Sequence, residues 1–454
     1  LVRASRLHRE GPGFKPSSAH HQNFIFMSAD NRHLKKLTQL IRFWILRSTT
    51  VAGSGHPTSS LSATDLMTAL MFGGFFCFDT EHPEYQNNDR LIFSKGHASP
   101  LFYALWAAVG AISPEELLTV RKFGSRLEGH PTMEFPFTEA ATCSLGQGLS
   151  IGAGMALNAK MDKLPYRTFV LLGDSEMAEG QCFEALACAA HYKLNNLCGI
   201  IDVNRLGQRG ETMYGHHTEE YEKRVRAFGW DTAVIDGHNL DEINEAFNRA
   251  HLAKEKPFMI IAKTVKGKGV SFLEDKDGWH GKALSQEDLE KAFEEMGEVD
   301  MQFRGEIGKP KITNYQLPIT NKPQVQNSKF HIPYSAQTPT ATRRAYGNAL
   351  VRIAPEHHNM IVLDAEVSNS TFSETFKKAY PERFLEMYIA EQNMVGAALG
   401  LSRRGKKPFV STFAAFLARA ADQIRMCQYS NADIVFCGSH AGVSIGEDGA
   451  SQMA

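Results

Sequence analysis

No run of apolar residues in this 454-residue sequence is long enough to cross a bilayer. The longest, LMTALMFGGFFCF at 66–78, falls short of the ~20 residues a membrane helix needs and is interrupted by a glycine pair. There is no C-x-x-C pair, and the seven cysteines (Cys77, Cys143, Cys182, Cys188, Cys198, Cys427, Cys437) are an odd number lying mostly in apolar stretches. They read as reduced thiols of a cytoplasmic protein rather than as a disulfide framework or a zinc site. Nor is there an excess of charge of either sign: 49 basic against 50 acidic residues leave a net charge of -1 and a pI near 7.1. That balance excludes the electrostatic footprint of a nucleic-acid binder or of a protein held on an acidic membrane. What remains is a globular chain with length for two or three domains, expected to be soluble and to act on a small molecule.

Residues 1–27 lack periodicity and carry Arg3, Arg6, Arg9 and Lys15 against one acid. They are expected to be an extension with no fold, with an organellar transit peptide as the alternative. From Leu34 the apolar positions Leu34, Leu37, Ile41, Trp44 and Ile45 mark one face of an amphipathic helix. Strand-like runs at 167–172, 197–202 and 258–264, separated by helix-like segments, have the alternation of βαβ units, so a first parallel-sheet domain is expected over 28–300. Residues 301–340, rich in Pro, Asn, Gln and Lys, read as a surface linker. The alternation resumes at 360–366, 408–412 and 433–440, which places a second α/β domain over 341–454.

Two of the first domain's strands end in LLGDSEMAEG (171–180) and IIDVNRLGQ (200–208). Asp and Asn at strand ends are ordinary turn residues. In an open parallel sheet, however, ligands sit beyond the carboxyl ends of the strands, and Asp174 and Asn204 would converge there. A carboxylate and an amide carbonyl suit Mg2+ or Ca2+ with room left for phosphate oxygens. A helix predicted from Glu176 to Lys193 would aim its free N-H groups at the same place, as a diphosphate requires.

Nine words occur in order: GSGHPTSS (53–60), SKGHASP (94–100), EGHP (128–131), SLGQG (144–148), DVNRLGQ (202–208), WHGK (279–282), YIAEQNM (388–394), STFAAF (411–416) and GSHAGVSIGEDG (438–449). Together they resemble transketolase from about residue 30 to the last residue. The resemblance implies the thiamine diphosphate-binding fold, with a diphosphate and metal domain followed by a pyrimidine domain. In the family that second domain continues past the equivalent of 454 and is followed by a third, C-terminal α/β domain, so the expected chain has an incomplete pyrimidine domain and no third one. The implied metal, Mg2+ or Ca2+, is held by Asp174, Asn204 and the carbonyl of Leu206. Ser59, His97, Ser144, Leu145, Gly146, Ser175, Asn204, Lys266 and His280 are implied around the diphosphate side of the cofactor, and Glu391, Phe413, Phe416 and Gln452 around its aminopyrimidine. Catalytic roles fall to Glu391, His56, His97, His130 and His280. The sugar-phosphate substrate is implied to meet His56, His280, Arg343, Ser370, His440 and Asp448, in a homodimer with active sites at the subunit interface.

The implied reaction moves a two-carbon ketol unit from xylulose 5-phosphate to ribose 5-phosphate or erythrose 4-phosphate, a step of the pentose phosphate pathway. It requires a protonated Glu391, for which the apolar neighbours Ile389, Met394 and Phe413 suggest a desolvated setting. Lys266 beside Lys268 also reads as loop charge, Phe413 and Phe416 as core, and Arg343 as a solvated helix start. Two glycines of the family pattern are replaced, by Ser175 and by Cys143, and glycines near phosphates commonly serve a positive φ or a close approach. The alternatives are a catalytically silent relative that binds without turnover, or another thiamine diphosphate enzyme such as deoxyxylulose phosphate synthase.

Overall fold

The structure is a computed structural model and describes residues 30–312, 339–443 and 449–453. The expected extension 1–27, most of the expected linker and Asp448 therefore lie outside the described residues. The helix expected from Leu34 runs Asn31–Ala52 and buries Leu34, Leu37, Leu40, Ile41, Trp44 and Ile45. Asp30 caps it by accepting from the Arg32 N-H, and Gly53 ends it in the left-handed conformation, which glycine adopts without steric cost.

Among the described residues nine strands follow in two sheets. β1 (Arg90–Phe93), β2 (Thr168–Gly173), β3 (Leu197–Val203), β4 (Asp231–Asp236) and β5 (Phe258–Lys263) form the first, in the order β1-β2-β3-β5-β4. β6 (Met360–Asp364), β7 (Phe384–Glu386), β8 (Lys407–Phe413) and β9 (Val435–Ser439) form the second, in the order β7-β6-β8-β9. All pairings are parallel. β3 is buried along its whole length, as expected of a central parallel strand covered on both faces. The register sets Gly173 opposite Asp202 and Val203 opposite Lys263. Asp174, Asn204 and Thr264 therefore leave three neighbouring strands at one edge.

The sequence reading missed β1, β4 and β7. Each is an edge strand of its sheet, and β1 and β7 are four and three residues long. The single helix expected from Glu176 to Lys193 is instead a 3-10 turn, Ser175–Ala178, and a helix Gly180–His191. The described part of the expected linker, 301–312, lies against the first sheet's helices: the Phe78 N-H donates to the Gly308 carbonyl and the Gly305 N-H to that of Ala108.

The two sheets share one apolar cluster, in which Val170 and Leu172 are continuous with Ile361, Val395 and Val410. Its centre is a contact between the helices Gly148–Met161 and Glu391–Arg403. A Cβ on Gly154 would come within 2.1 Å of the Ala397 carbonyl oxygen, and one on Gly400 within 2.1 Å of that of Ile151. Only glycine allows backbones so close.

Candidate active site

At the carboxyl edge of the first sheet, Asp202 is wholly buried and fully partnered. It takes the Lys95 ammonium at 2.5 Å, the Ser62 hydroxyl at 2.6 Å, the Asn204 amide at 3.1 Å and the Thr264 hydroxyl. Lys95 also donates to the Ser59 carbonyl at 3.0 Å, and its charge helps to hold Asp202 below the usual carboxylate range against the opposing effect of burial. Asp174 is differently placed. It is 6% exposed and receives only neutral donors: the N-H of Arg205 at 2.7 Å, the N-H of Ser175 at 2.9 Å and the Thr212 hydroxyl at 3.4 Å. Burial first, and then the Asp202 charge, push its carboxyl up to about 6.

Lys266 is buried, not the loop charge that its neighbour Lys268 suggested. Its ammonium donates to the carbonyls of Leu206 at 2.6 Å and Gly207 at 2.9 Å and meets His280 Nδ1 at 2.9 Å. Burial, then the Lys95 charge, lowers its pKa to about 8. The Leu206 carbonyl, expected to ligate a metal, thus holds a cationic side chain, and the Asn204 side-chain oxygen accepts from the Leu206 N-H at 3.2 Å.

Beside Lys266 stands a triangle of imidazoles. The ring centroids of His56, His97 and His280 lie 5.0 to 5.4 Å apart, and His130 is near enough to act electrostatically on His56 and His97. Desolvation dominates in each. It takes His56 down to about 3 and His280 to about 4, and it holds His97 and His130 below the ordinary value. All four are neutral at pH 7. His56 Nδ1 is buried with no hydrogen-bond partner.

The 144–148 loop closes this edge. Its Gly146 has φ +84, and a Cβ there would meet the Glu179 side chain at 2.6 Å. The Gly146 N-H donates to Glu176, a wholly buried carboxylate that also takes the Gly173 N-H at 2.9 Å and the Ser94 hydroxyl. Glu176 was missed from the sequence, where only its place two residues after Asp174 could have drawn notice. Ser144 receives the Arg425 guanidinium at 3.0 Å, and Leu145 is 37% exposed.

A second cluster lies at the carboxyl edge of the second sheet. Arg343 donates to His440 Nε2 at 2.8 Å and to the Ser370 carbonyl at 3.3 Å, so it is not a solvated helix start. Phe413 stacks on Phe416 with centroids 5.0 Å apart and planes within 4°, and His440 lies 4.1 Å from Phe413. Both phenylalanines are half-buried rather than core, and Gln452 is half-buried in the turn Ala450–Gln452. Glu391 opens the helix Glu391–Arg403 and is 3% exposed. It is desolvated as expected, with Met394 buried near it in sequence, but Ile389 is 71% exposed, and both carboxylate oxygens lie 3.1 Å from Arg419 Nη1. No hydrogen bond, ion pair or ring contact among the described residues joins the Asp174 group to the Arg343 group.

The thiamine diphosphate binding domain of transketolase matches residues 33–345, and the transketolase pyrimidine binding domain matches 338–454. The chain belongs to the transketolase family. It is 45% identical over 427 residues to human transketolase and 46% to the mouse transketolase-like protein 2, in both cases over 93% of this chain and 67% of the relative. The solved transketolase of Campylobacter jejuni superposes with a TM-score of 0.82 at 27% identity, over 93% of this chain and 72% of that one. The chain thus spans about two thirds of the transketolases it matches.

The cofactor of these transketolase domains is thiamine diphosphate with a divalent cation, and the residues present fit both. Asp174 is a buried carboxylate facing neutral donors and a second carboxylate, the setting a cation relieves. Asn204 and the Leu206 carbonyl add hard oxygens beside it. Neither Ser175 nor Cys143, the two positions where the resemblance leads one to expect glycine, has a positive φ, and Cys143 is exposed. Among the described residues no helix is long and apolar enough to cross a membrane.

Proposed function

We propose that this chain transfers a two-carbon ketol unit from a ketose phosphate such as xylulose 5-phosphate to an aldose phosphate such as ribose 5-phosphate or erythrose 4-phosphate. The observation that supports it most is the convergence of Asp174, Asn204 and Lys266 with four neutral imidazoles at one sheet edge. Residues 28–300 would be the diphosphate and metal unit, 301–340 the connection, and the residues from 341 onward the pyrimidine unit. Because no contact among the described residues joins the two clusters, the complete site is read as forming between two copies.

When bound, thiamine diphosphate supplies the electron sink for breaking the ketose C2–C3 bond. Asp174, Asn204 and the Leu206 carbonyl would hold Mg2+ or Ca2+, which requires the Lys266 ammonium to give up that carbonyl and turn to the diphosphate with Ser59, Leu145, Gly146 and Ser175. His56, His97, His130 and His280, neutral at working pH, would exchange protons and hydrogen bonds with the sugar's carbonyl and hydroxyls. His56 Nδ1 is open to such a contact. Arg343, Ser370 and His440 would grip the phosphate, for which a guanidinium fork is suited, and Asp448 would accept from a hydroxyl. Phe413, Phe416 and Gln452 would flank the aminopyrimidine, and Glu391 would donate to it.

A second reading, a silent member that binds without turnover, is favoured by the Lys266 and Arg419 contacts, which engage two groups the reaction needs. The full chain, mixed with thiamine diphosphate and Mg2+, should form sedoheptulose 7-phosphate and glyceraldehyde 3-phosphate from xylulose 5-phosphate and ribose 5-phosphate. Cofactor binding without product would favour the silent reading, and no cofactor binding would end both.

A further inference from the structure

Two segments meet at the rim of the first sheet's carboxyl edge. Residues 204–212 leave β3 and turn back on themselves: Leu206 bridges Glu211, the Thr212 N-H donates to the Arg205 carbonyl at 2.7 Å, and the Gly207 N-H donates to that of Gly210 at 2.9 Å. Both sides of this loop's base reach one oxygen of Asp174, Oδ2, which accepts from the Arg205 N-H at 2.7 Å and the Thr212 hydroxyl at 3.4 Å. Residues 264–280 leave β5 and carry Lys266 and His280, which meet at 2.9 Å. In this second segment the Asp275 N-H donates to the Lys266 carbonyl at 2.9 Å.

Arg205 and Asp275 bind each other through a planar fork, with Nε 2.8 Å from Oδ1 and Nη2 2.7 Å from Oδ2. A two-pronged pair fixes orientation as well as distance. Arg205 also reaches Glu211 across its own loop at 3.4 Å, and the Gly210 N-H donates to Asp277 at 3.3 Å. The backbone of both partners is left-handed, with φ +60 at Arg205 and +58 at Asp275, a state that residues with side chains keep where surrounding contacts determine it. Their side chains are 28% and 41% exposed, so the pair itself contributes little to folding. Its consequence lies in what the two backbones hold: Arg205 the carboxylate assigned to the cation, Asp275 the lysine assigned to the diphosphate.

Further bonds between the segments run from the Lys266 ammonium to the Leu206 and Gly207 carbonyls. A cation on Leu206 requires that ammonium to leave, whereas the fork of Arg205 and Asp275 uses none of these groups and persists. We propose that the fork is a strap: it keeps the Asp174 carboxylate and the Lys266–His280 pair at one spacing while Lys266 changes partners, so that cation and diphosphate meet ligands already set at the right separation. This rests on the cofactor assignment above. Arg205 and Asp275 are positioning residues, since each acts through its own backbone on the group that would touch the ligand.

The test is titration calorimetry of the full chain with thiamine diphosphate at fixed Mg2+, in wild type, R205Q, D275N and the double variant, with chemical unfolding of each chain free of cofactor. Asn tolerates the left-handed backbone, so D275N removes the charge without adding strain. Each single change should weaken cofactor binding about tenfold, the scale for partners behind metal ligands, and the double variant should bind no worse than the weaker single one, because one shared interaction is lost once. D275E, which keeps the carboxylate, should recover most of what D275N loses. The unfolding midpoints should stay near wild type; a pair that serves the fold alone would lower them and leave affinity unchanged, which overturns the strap, as do losses that multiply in the double variant. Should R205Q fail to fold, D275N against D275E carries the test, and wild-type affinity in D275N overturns the strap. Absence of binding by wild type removes the cofactor assignment and the strap with it, whereas wild-type binding with unchanged affinity in the variants removes the strap alone.

Discussion

The carboxyl edges of the two sheets solve the same geometric problem with opposite materials. At the first, charges are buried and fixed by short hydrogen bonds, to an opposite charge (Lys95 on Asp202) or to backbone groups (Glu176 under the Gly146 N-H, Lys266 on the Leu206 carbonyl). At the second, two stacked phenylalanines and two arginines stand half in solvent, Arg343 on His440 and the Ser370 carbonyl and Arg419 on Glu391. The first edge is organised in advance for a small, highly charged group. The second has surfaces that gain their full set of contacts only when something is laid on them. That is the distribution expected where a diphosphate and metal are held by one unit and a ring and a sugar are received by another.

The contrast is broken most severely at Asp174. Asp174→Ala should abolish retention of thiamine diphosphate and Mg2+ while leaving a cooperative unfolding transition; calorimetric affinity equal to wild type would show that the charge at the first edge serves no ligand. Asp202→Ala strands Lys95 as a buried unpaired cation, so it should destabilise the chain by about 3–5 kcal/mol, the scale for breaking one side of a buried pair. Chemical denaturation checks it, and a loss below about 1 kcal/mol, the scale of an exposed pair, would place the two edges on an equal footing. At the second edge Arg343→Ala should leave the fold intact and cost about 2–3 kcal/mol in kcat/KM for a phosphorylated acceptor, the scale of hydrogen bonds to a charged group. The loss should fall mainly in KM and be much smaller with glycolaldehyde, because a phosphate grip acts on ground and transition states alike. Equal losses on both acceptors would make Arg343 structural.

Acid also separates the two edges. His56, His97, His130 and His280 are held below the unfolded value of 6.5, two of them near 3 and 4. Between pH 6.5 and about 4 the unfolded chain binds protons that these folded imidazoles refuse, so their contribution to stability is whole above 6.5 and falls as the pH is lowered through that window. Hydrogen exchange should show the segments around 56, 97, 130 and 280 losing protection at pH 5 relative to pH 7 more than those around 343–440. A uniform loss would erase this difference between the edges.

The first edge was more legible in the sequence than the second for a physical reason. Strands β2, β3 and β5 are central or covered, so their apolar runs are continuous and their ends are marked by the first polar residues, Asp174, Asn204 and Thr264. Edge strands such as β1 and β7 are short and bury fewer residues, and they left no such mark. The break between Ala178 and Gly180 is set by Glu176 turning inward to Gly146, a contact thirty residues distant that no local pattern records. Composition likewise could not disclose which cation sits on Glu391, because Arg419 lies 28 positions further along the chain. The neighbours named from sequence, Ile389 and Met394, end on opposite sides, one exposed and one buried.

The backbone contact of Gly154 with Ala397, and of Gly400 with Ile151, leaves the junction of the two sheets without slack. Glu391 heads the second of these helices, and the first begins at Gly148, two residues after Gly146. Any side chain added at either glycine must push one whole rod away from the other, and a rigid rod carries the shift to its tip. Packing and reach are therefore inherited together in this protein: neither glycine can drift alone, and a mutation that looks like a change of filling in the interior is a change of reach for the carboxylate at the helix's head.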